Sequence, residues 1–157
     1  MEKLLTVSVA AYNGAATLQK ALESCLVADE SLQALLDVII IDDMISSGES
    51  IIEVATELKR RKANRIFAAA TFGLFTNGLE KFDKAYEEGV LTGVLTTNLI
   101  YQTPELLSKP YYINCDMSKY IALIIDTLNH DGSLSQILSP NERIQNVLRK
   151  YKNGEKI

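Results

Sequence analysis

Tryptophan is absent from this chain, histidine occurs once, and its 157 residues include only two cysteines and three prolines. A lone histidine, His130, leaves little room for the imidazole-based acid–base or zinc chemistry that most often operates near neutral pH. The two cysteines, Cys25 and Cys115, lack the close spacing of metal ligands. They read as buried thiols of a reducing compartment, not as a disulfide. No apolar run reaches the roughly 20 residues that span a bilayer, and MEKLLTVSVAAYNG turns polar too early for a secretory signal. An excess of positive charge is missing as well. With a net charge of −4, neither nucleic acid nor an anionic membrane has an electrostatic reason to bind. The expectation is a cytoplasmic, soluble protein with no nucleic-acid and no membrane partner.

What is present is an ordinary globular composition, 47% hydrophobic and 23% charged, in a length that suits a single domain over 1–157. Short β-branched runs predict strands at 4–12, 35–42, 65–73, within 90–99 and at 110–115. Amphipathic stretches predict helices at 17–28, 50–62, 79–89, 117–132 and 140–151. Leu18, Ala21, Leu22, Cys25 and Leu26 form the apolar face of the first helix. Ile51, Val54, Ala55 and Leu58 form that of the second, with Ser50 as its N-cap. Gly89 and Gly132 are expected to stop their helices, Asp116 to cap the one that follows it, and Pro140 to sit near the first turn of the last. The basic run 59–65 reads as a solvated helix C-terminus, and His130 as an exposed helix end. Strands alternating with helices give an α/β class, a three-layer sandwich around a mostly parallel sheet of about five strands.

The stretch with chemical content is VIIIDDMISSGES, 38–50. In open α/β sheets, ligands bind beyond the carboxyl ends of the strands, and Asp42 and Asp43 fall at such an end. Adjacent carboxylates accept hydrogen bonds from vicinal hydroxyls or hold a hydrated Mg2+. Ser46, Ser47, Gly48 and Ser50 then lead into a helix N-terminus, where free N–H groups and hydroxyls suit a phosphate. Carboxylates for a diol beside a nest for a phosphate describe a sugar phosphate. Paired aspartates at a strand end also occur in receiver domains and glycosyltransferases, and Asp and Ser also serve as plain turn and cap residues.

DVIIIDDMISSGESIIEVATELKRRKANRIFAAATFGLF, continued through YYINCDMSKYIALIIDTLNHDGSLSQIL, resembles the C-terminal part of ribose-phosphate pyrophosphokinase over about 37–148. The resemblance implies a phosphoribosyltransferase fold, Mg2+ as cofactor, a phosphate or ribose-phosphate ligand and a homo-oligomer. Carried onto this chain, it assigns Asp42 and Asp43 to the ribose hydroxyls. Ser46, Ser47, Gly48 and Ser50 are assigned to the 5-phosphate. The family loop usually reads Asp-Thr-Ala-Gly-Thr, so Glu49 has no assigned role. Phe72 stands where many members carry histidine. The family's pyrophosphate loop, catalytic flap and ATP-binding parts have no counterpart before Asp42. The expectation is therefore weak ribose-phosphate binding without synthetase activity, with no catalytic residue assigned.

LLTVSVAAYNGAATLQKALESCL, with ADESLQALLDVIIIDD, resembles the start of a family 2 glycosyltransferase over 4–43. That likeness would place Tyr12 and Asp42 near a nucleotide base, although the chain contains no Asp-x-Asp metal motif. The two likenesses meet near Leu36–Asp37, with a glycosyltransferase-like βα unit over 1–36 and a pyrophosphokinase-like part over 37–150. The chain thus reads as a chimera, engineered or fused. A nucleotide-sugar-binding protein and a purely structural product of fold engineering stand as alternatives.

Overall fold

The computed structural model describes residues 5–10, 36–138 and 141–155. The helix expected over 17–28, Tyr12, Cys25 and Pro140 lie outside the described residues. Five strands are described: β1 Leu5–Ala10, β2 Leu36–Ile45, β3 Arg65–Gly73, β4 Gly93–Thr97 and β5 Tyr112–Cys115. They form one sheet in the order β1-β2-β3-β4-β5, and all four pairings are parallel. The α/β class with a parallel five-stranded sheet is thus the observed architecture. By contacts the chain divides into two compact units, Met1–Asp116 and Met117–Ile157.

In the first unit, α1 (Glu49–Arg60), α2 (Glu80–Glu87) and the short α3 (Pro104–Ser108) connect successive strands. Right-handed crossovers between strands laid down in sequential order deliver their helices to the same face. The packing agrees: Val38, Ile40, Ile66, Ala68, Ala70 and Val94 of the sheet share one core with Ile51, Val54, Ala55 and Leu58 of α1 and Phe82 and Ala85 of α2. Register produces this face, since Val38 pairs with Ile66 and Ile40 with Ala68, which in turn pairs with Val94. On the opposite face Ile39, Phe67, Ala69 and Leu95 are half-buried, while Ile41 and Ile113 are exposed.

β2 begins on a buried charge. Asp37 is 3% exposed, and its Oδ1 accepts from Arg65 Nε at 3.0 Å and Asn64 Nδ2 at 3.2 Å. The Arg65 guanidinium closes a second contact on the other carboxylate oxygen. Arg65 therefore leaves the basic run as an inward-paired strand residue. Lys59 and Arg60 occupy the last turn of α1, as a solvated helix end requires. At the far edge, Asp83 of α2 accepts from Lys109 Nζ at 2.7 Å and from the Tyr111 hydroxyl at 2.8 Å, tying α2 to the start of β5.

The second unit contains α4 (Ser118–Asn129), α5 (Ser135–Leu138) and α6 (Asn141–Lys152). No described helix is long and apolar enough to cross a membrane. Two expected caps are corrected here. Asp116 does not cap α4, whose N-cap is Met117 without a side-chain bond. Gly132 is not the residue that turns α4 off; Asp131 takes the left-handed conformation at φ 50°. The Asp131 N–H then reaches Leu128 O at 3.2 Å and the Gly132 N–H reaches Thr127 O at 2.8 Å. His130 lies at this exposed helix end, as expected. Cys115 is a free, half-buried thiol.

Candidate functional site

The acid pair lies inside β2, not at its last residue: the strand runs on through Ile45, three positions beyond the predicted end at Asp42. Parallel pairing explains the extension, because Met44 and Ile45 continue the ladder with Phe72 and Gly73 of β3. Asp42 occupies the register row of Ala70 and Thr96, so a small side chain and a buried threonine share its row. It is half-buried, whereas Asp43 is exposed. Burial raises the Asp42 carboxyl above its ordinary value. The Asp43 N–H, which donates to Asp42 Oδ1 at 2.8 Å, opposes that rise, and the Asp43 carboxylate adds to it. Two adjacent acidic side chains at this position are a ready partner for vicinal hydroxyls or a hydrated cation.

Beyond Ile45 the chain turns through Ser46 and Ser47 to Gly48, which is the N-cap of α1 at φ 78°, ψ −1°. The predicted cap, Ser50, is instead inside the helix. Physical reasons favour glycine at this corner. The left-handed conformation strains any residue with a Cβ, and a Cβ built on Gly48 would lie 2.2 Å from Phe82 Cζ. Glycine at the cap supplies no side-chain bond of its own to the helix end. The first intrahelical acceptor is Gly48 O, taken by the Ile52 N–H at 3.0 Å. The preceding first-turn N–H groups have no intrahelical partner and carry the positive end of the helix dipole. Ser46 and Ser50 are exposed beside them, and Ser47 Oγ accepts weakly from the Glu49 N–H at 3.5 Å.

The loop after β3 braces this turn, which sequence reasoning missed. Leu74 N donates to Ile45 O at 2.8 Å and Thr76 N to Ser46 O at 3.0 Å. Phe75 packs edge-on against Phe82 with centroids 5.2 Å apart, and Phe82 in turn fills the space beneath Gly48. The only sequence signal for this brace was Gly73, whose Cβ would collide with Phe75 and Thr96. Phe72 itself is exposed at the strand end.

A second polar cluster stands at the carboxyl ends of β4 and β5. Tyr112 Oη and Thr96 Oγ1 are 2.6 Å apart, and Gln102 Nε2 donates to Tyr112 Oη at 2.6 Å and Asn114 Oδ1 at 3.0 Å. The Thr97 hydroxyl donates to Thr71 O at 2.6 Å. These groups satisfy one another, which fits a scaffold that holds strand ends in place. Among the described residues no group of three or more His, Cys, Asp or Glu side chains is gathered to hold a metal. The structure thus brings Asp42, Asp43, Ser46, Ser47, Gly48 and Ser50 into one continuous strand–turn–helix. Tyr12, the other expected nucleotide contact, is outside the described residues.

Comparison with known proteins follows the same segment. The sequence model of the phosphoribosyl synthetase-associated domain family matches residues 26–139. A ribose-phosphate pyrophosphokinase of Shewanella oneidensis is 32% identical over 103 residues, covering 66% of this chain and 32% of that protein. One from Pyrococcus furiosus is 36% identical over 75 residues, 46% of this chain and 27% of the relative. This chain therefore spans about a third of the length of the curated relatives it matches. Among solved structures, a phosphoribosylpyrophosphate synthetase from Mycobacterium smegmatis superposes with a TM-score of 0.55 at 19% identity. It covers 81% of this chain and 45% of the other, a likeness of fold alone.

Proposed function

Because the chain belongs to the phosphoribosyl synthetase-associated domain family, we propose that its strand–turn–helix 42–50 binds ribose 5-phosphate. Asp42 and Asp43 accept from the ribose hydroxyls. The hydroxyls of Ser46, Ser47 and Ser50, with the first-turn N–H groups of α1, take the phosphate. The observation that carries this reading is the N-terminus of α1, which has no bond from its N-cap side chain and is opened by a left-handed glycine a short turn after the acid pair. An anion satisfies those donors and the dipole together.

Mg2+ fits the same pair as a partly hydrated ion. It is commonly held by one or two carboxylates with waters and substrate phosphates completing the shell. Asp42 and Asp43 would supply the carboxylates, and the ion would supply charge neutralisation for the ligand's phosphate. The homo-oligomer implied by the resemblance and the cytoplasmic location expected from the composition belong to the same proposal.

Calorimetric titration tests the binding reading with ribose 5-phosphate, phosphoribosyl pyrophosphate and uridine diphosphate as ligands. Ribose 5-phosphate should bind weakly, and Asp42→Asn with Asp43→Asn should weaken it about tenfold or more, the scale of lost charge-assisted hydrogen bonds. Binding of uridine diphosphate in place of ribose 5-phosphate would transfer the site to the nucleotide-sugar reading. A chimeric origin rests on the glycosyltransferase likeness of 4–43. The family match beginning at residue 26 would move its junction upstream of Leu36–Asp37.

A further inference from the structure

Glu49 is the loop residue to which the family resemblance assigns nothing, and it is the first residue of α1. A carboxylate at that position interacts favourably with the same positive helix end that an anionic ligand would use. Its side chain does not hang free. Glu49 Oε1 forms an ion pair with Lys81 Nζ of α2, and both side chains are about half exposed, 55% and 52%. The neighbour of Lys81, Phe82, is fully buried against Gly48, so the first turn of α2 is held against the loop and the lysine is anchored there. The hydrogen bond and charge of Lys81 in turn hold the Glu49 carboxyl below its ordinary value, so it remains ionised across the neutral range.

We infer that Glu49 is a built-in competitor of the ligand phosphate and that Lys81 is its counter-charge, so that the pair sets the anion affinity of the loop. This rests on the ribose-phosphate reading of 42–50 and deepens it. With the site empty, the Glu49 carboxylate offsets the positive end of α1, and Lys81 keeps that carboxylate directed toward α2. An arriving phosphate meets a repulsive charge at the first helical residue. It also meets a lysine whose exposed ion pair is weak enough to exchange. Lys81 then turns from Glu49 to the phosphate oxygens, as a compact cation on a flexible stem can.

Titration calorimetry at fixed low ionic strength, with ribose 5-phosphate and inorganic phosphate as probes, tests this on wild type, Glu49→Gln and Lys81→Gln. Glu49→Gln should tighten binding of both probes about two- to fivefold, the range of a charge at a helix terminus. Lys81→Gln should weaken it. Binding by Glu49→Gln where the wild type shows none also supports the inference. If the wild type binds and Glu49→Gln binds equally or more weakly, the competitor role is wrong while the site reading survives. If Lys81→Gln binds as the wild type does, the counter-charge role is wrong. If folded wild type and Glu49→Gln both fail to bind either probe, the ribose-phosphate reading fails and takes this inference with it.

Discussion

Gly48 is where backbone, packing and chemistry meet at a single residue. Its φ of 78° puts it in the region that costs an L-residue roughly 1–2 kcal/mol, and Phe82 occupies the space a methyl group would need. Overpacking of a filled site adds roughly 1–3 kcal/mol. Gly48→Ala should therefore destabilise the protein by about 2–5 kcal/mol, measured as a lower urea midpoint at an unchanged slope. The same variant should lose phosphate binding, because the N–H groups that follow Gly48 would be displaced. Full stability in Gly48→Ala would show that Phe82 moves aside easily and that the corner is not specified by glycine.

At the scale of elements, four described helix ends use one device. A left-handed residue follows α1, α2, α4 and α6, and it is Lys62, Gly89, Asp131 and Gly154 respectively. In each case the N–H of the next residue returns to a carbonyl one turn back: Ala63 to Leu58, Val90 to Ala85, Gly132 to Thr127 and Glu155 to Lys150. This is the Schellman closure, which satisfies the last orphan carbonyls. Gly89 was legible as such a stop because glycine is the common choice. Lys62 and Asp131 were not, since residues with a Cβ take the left-handed conformation far less often than glycine does.

The last turn of α1 also carries Glu57, which accepts from Arg60 Nε at 2.8 Å and from Arg61 Nε at 2.7 Å. Those hydrogen bonds, more than the charges behind them, hold its carboxyl at about 2. A depressed carboxylate contributes stability above its unfolded value and loses it as pH falls through the folded one. Glu57→Gln should thus cost less than about 1 kcal/mol at neutral pH, since the group is about a third exposed. That difference should shrink as pH drops from about 4.5 to about 2 and vanish below. Urea melts at stepped pH values read it, and a pH-independent difference would count against the ion pairs.

For the whole molecule, the buried apolar cluster runs from Val38 to Tyr111 and lies in the first unit. No residue of α4 is buried. Native-state hydrogen exchange should therefore find the slowest amides in β2, β3, β4 and α1, with α4 and α6 exchanging through lower-energy openings. Equal protection in α4 would mean that its apolar residues are covered in solution. At this scale the α/β class and the parallel sheet followed from the sequence, because alternating apolar and amphipathic stretches report local burial. So did the acid pair and its serine–glycine turn, whose chemistry lies in consecutive residues. What no local pattern contained was which distant residues meet them. Asp37 meets Arg65, Glu49 meets Lys81, and Gly48 meets Phe82. Strand order and register bring these partners together across dozens of intervening residues. The sequence by itself determined the acid pair and the serine–glycine turn, since their donors and acceptors lie within one short contiguous stretch. The tertiary structure decided its rigidity and its charge balance, since both come from side chains that only the packing of α2 and β3 against it can supply.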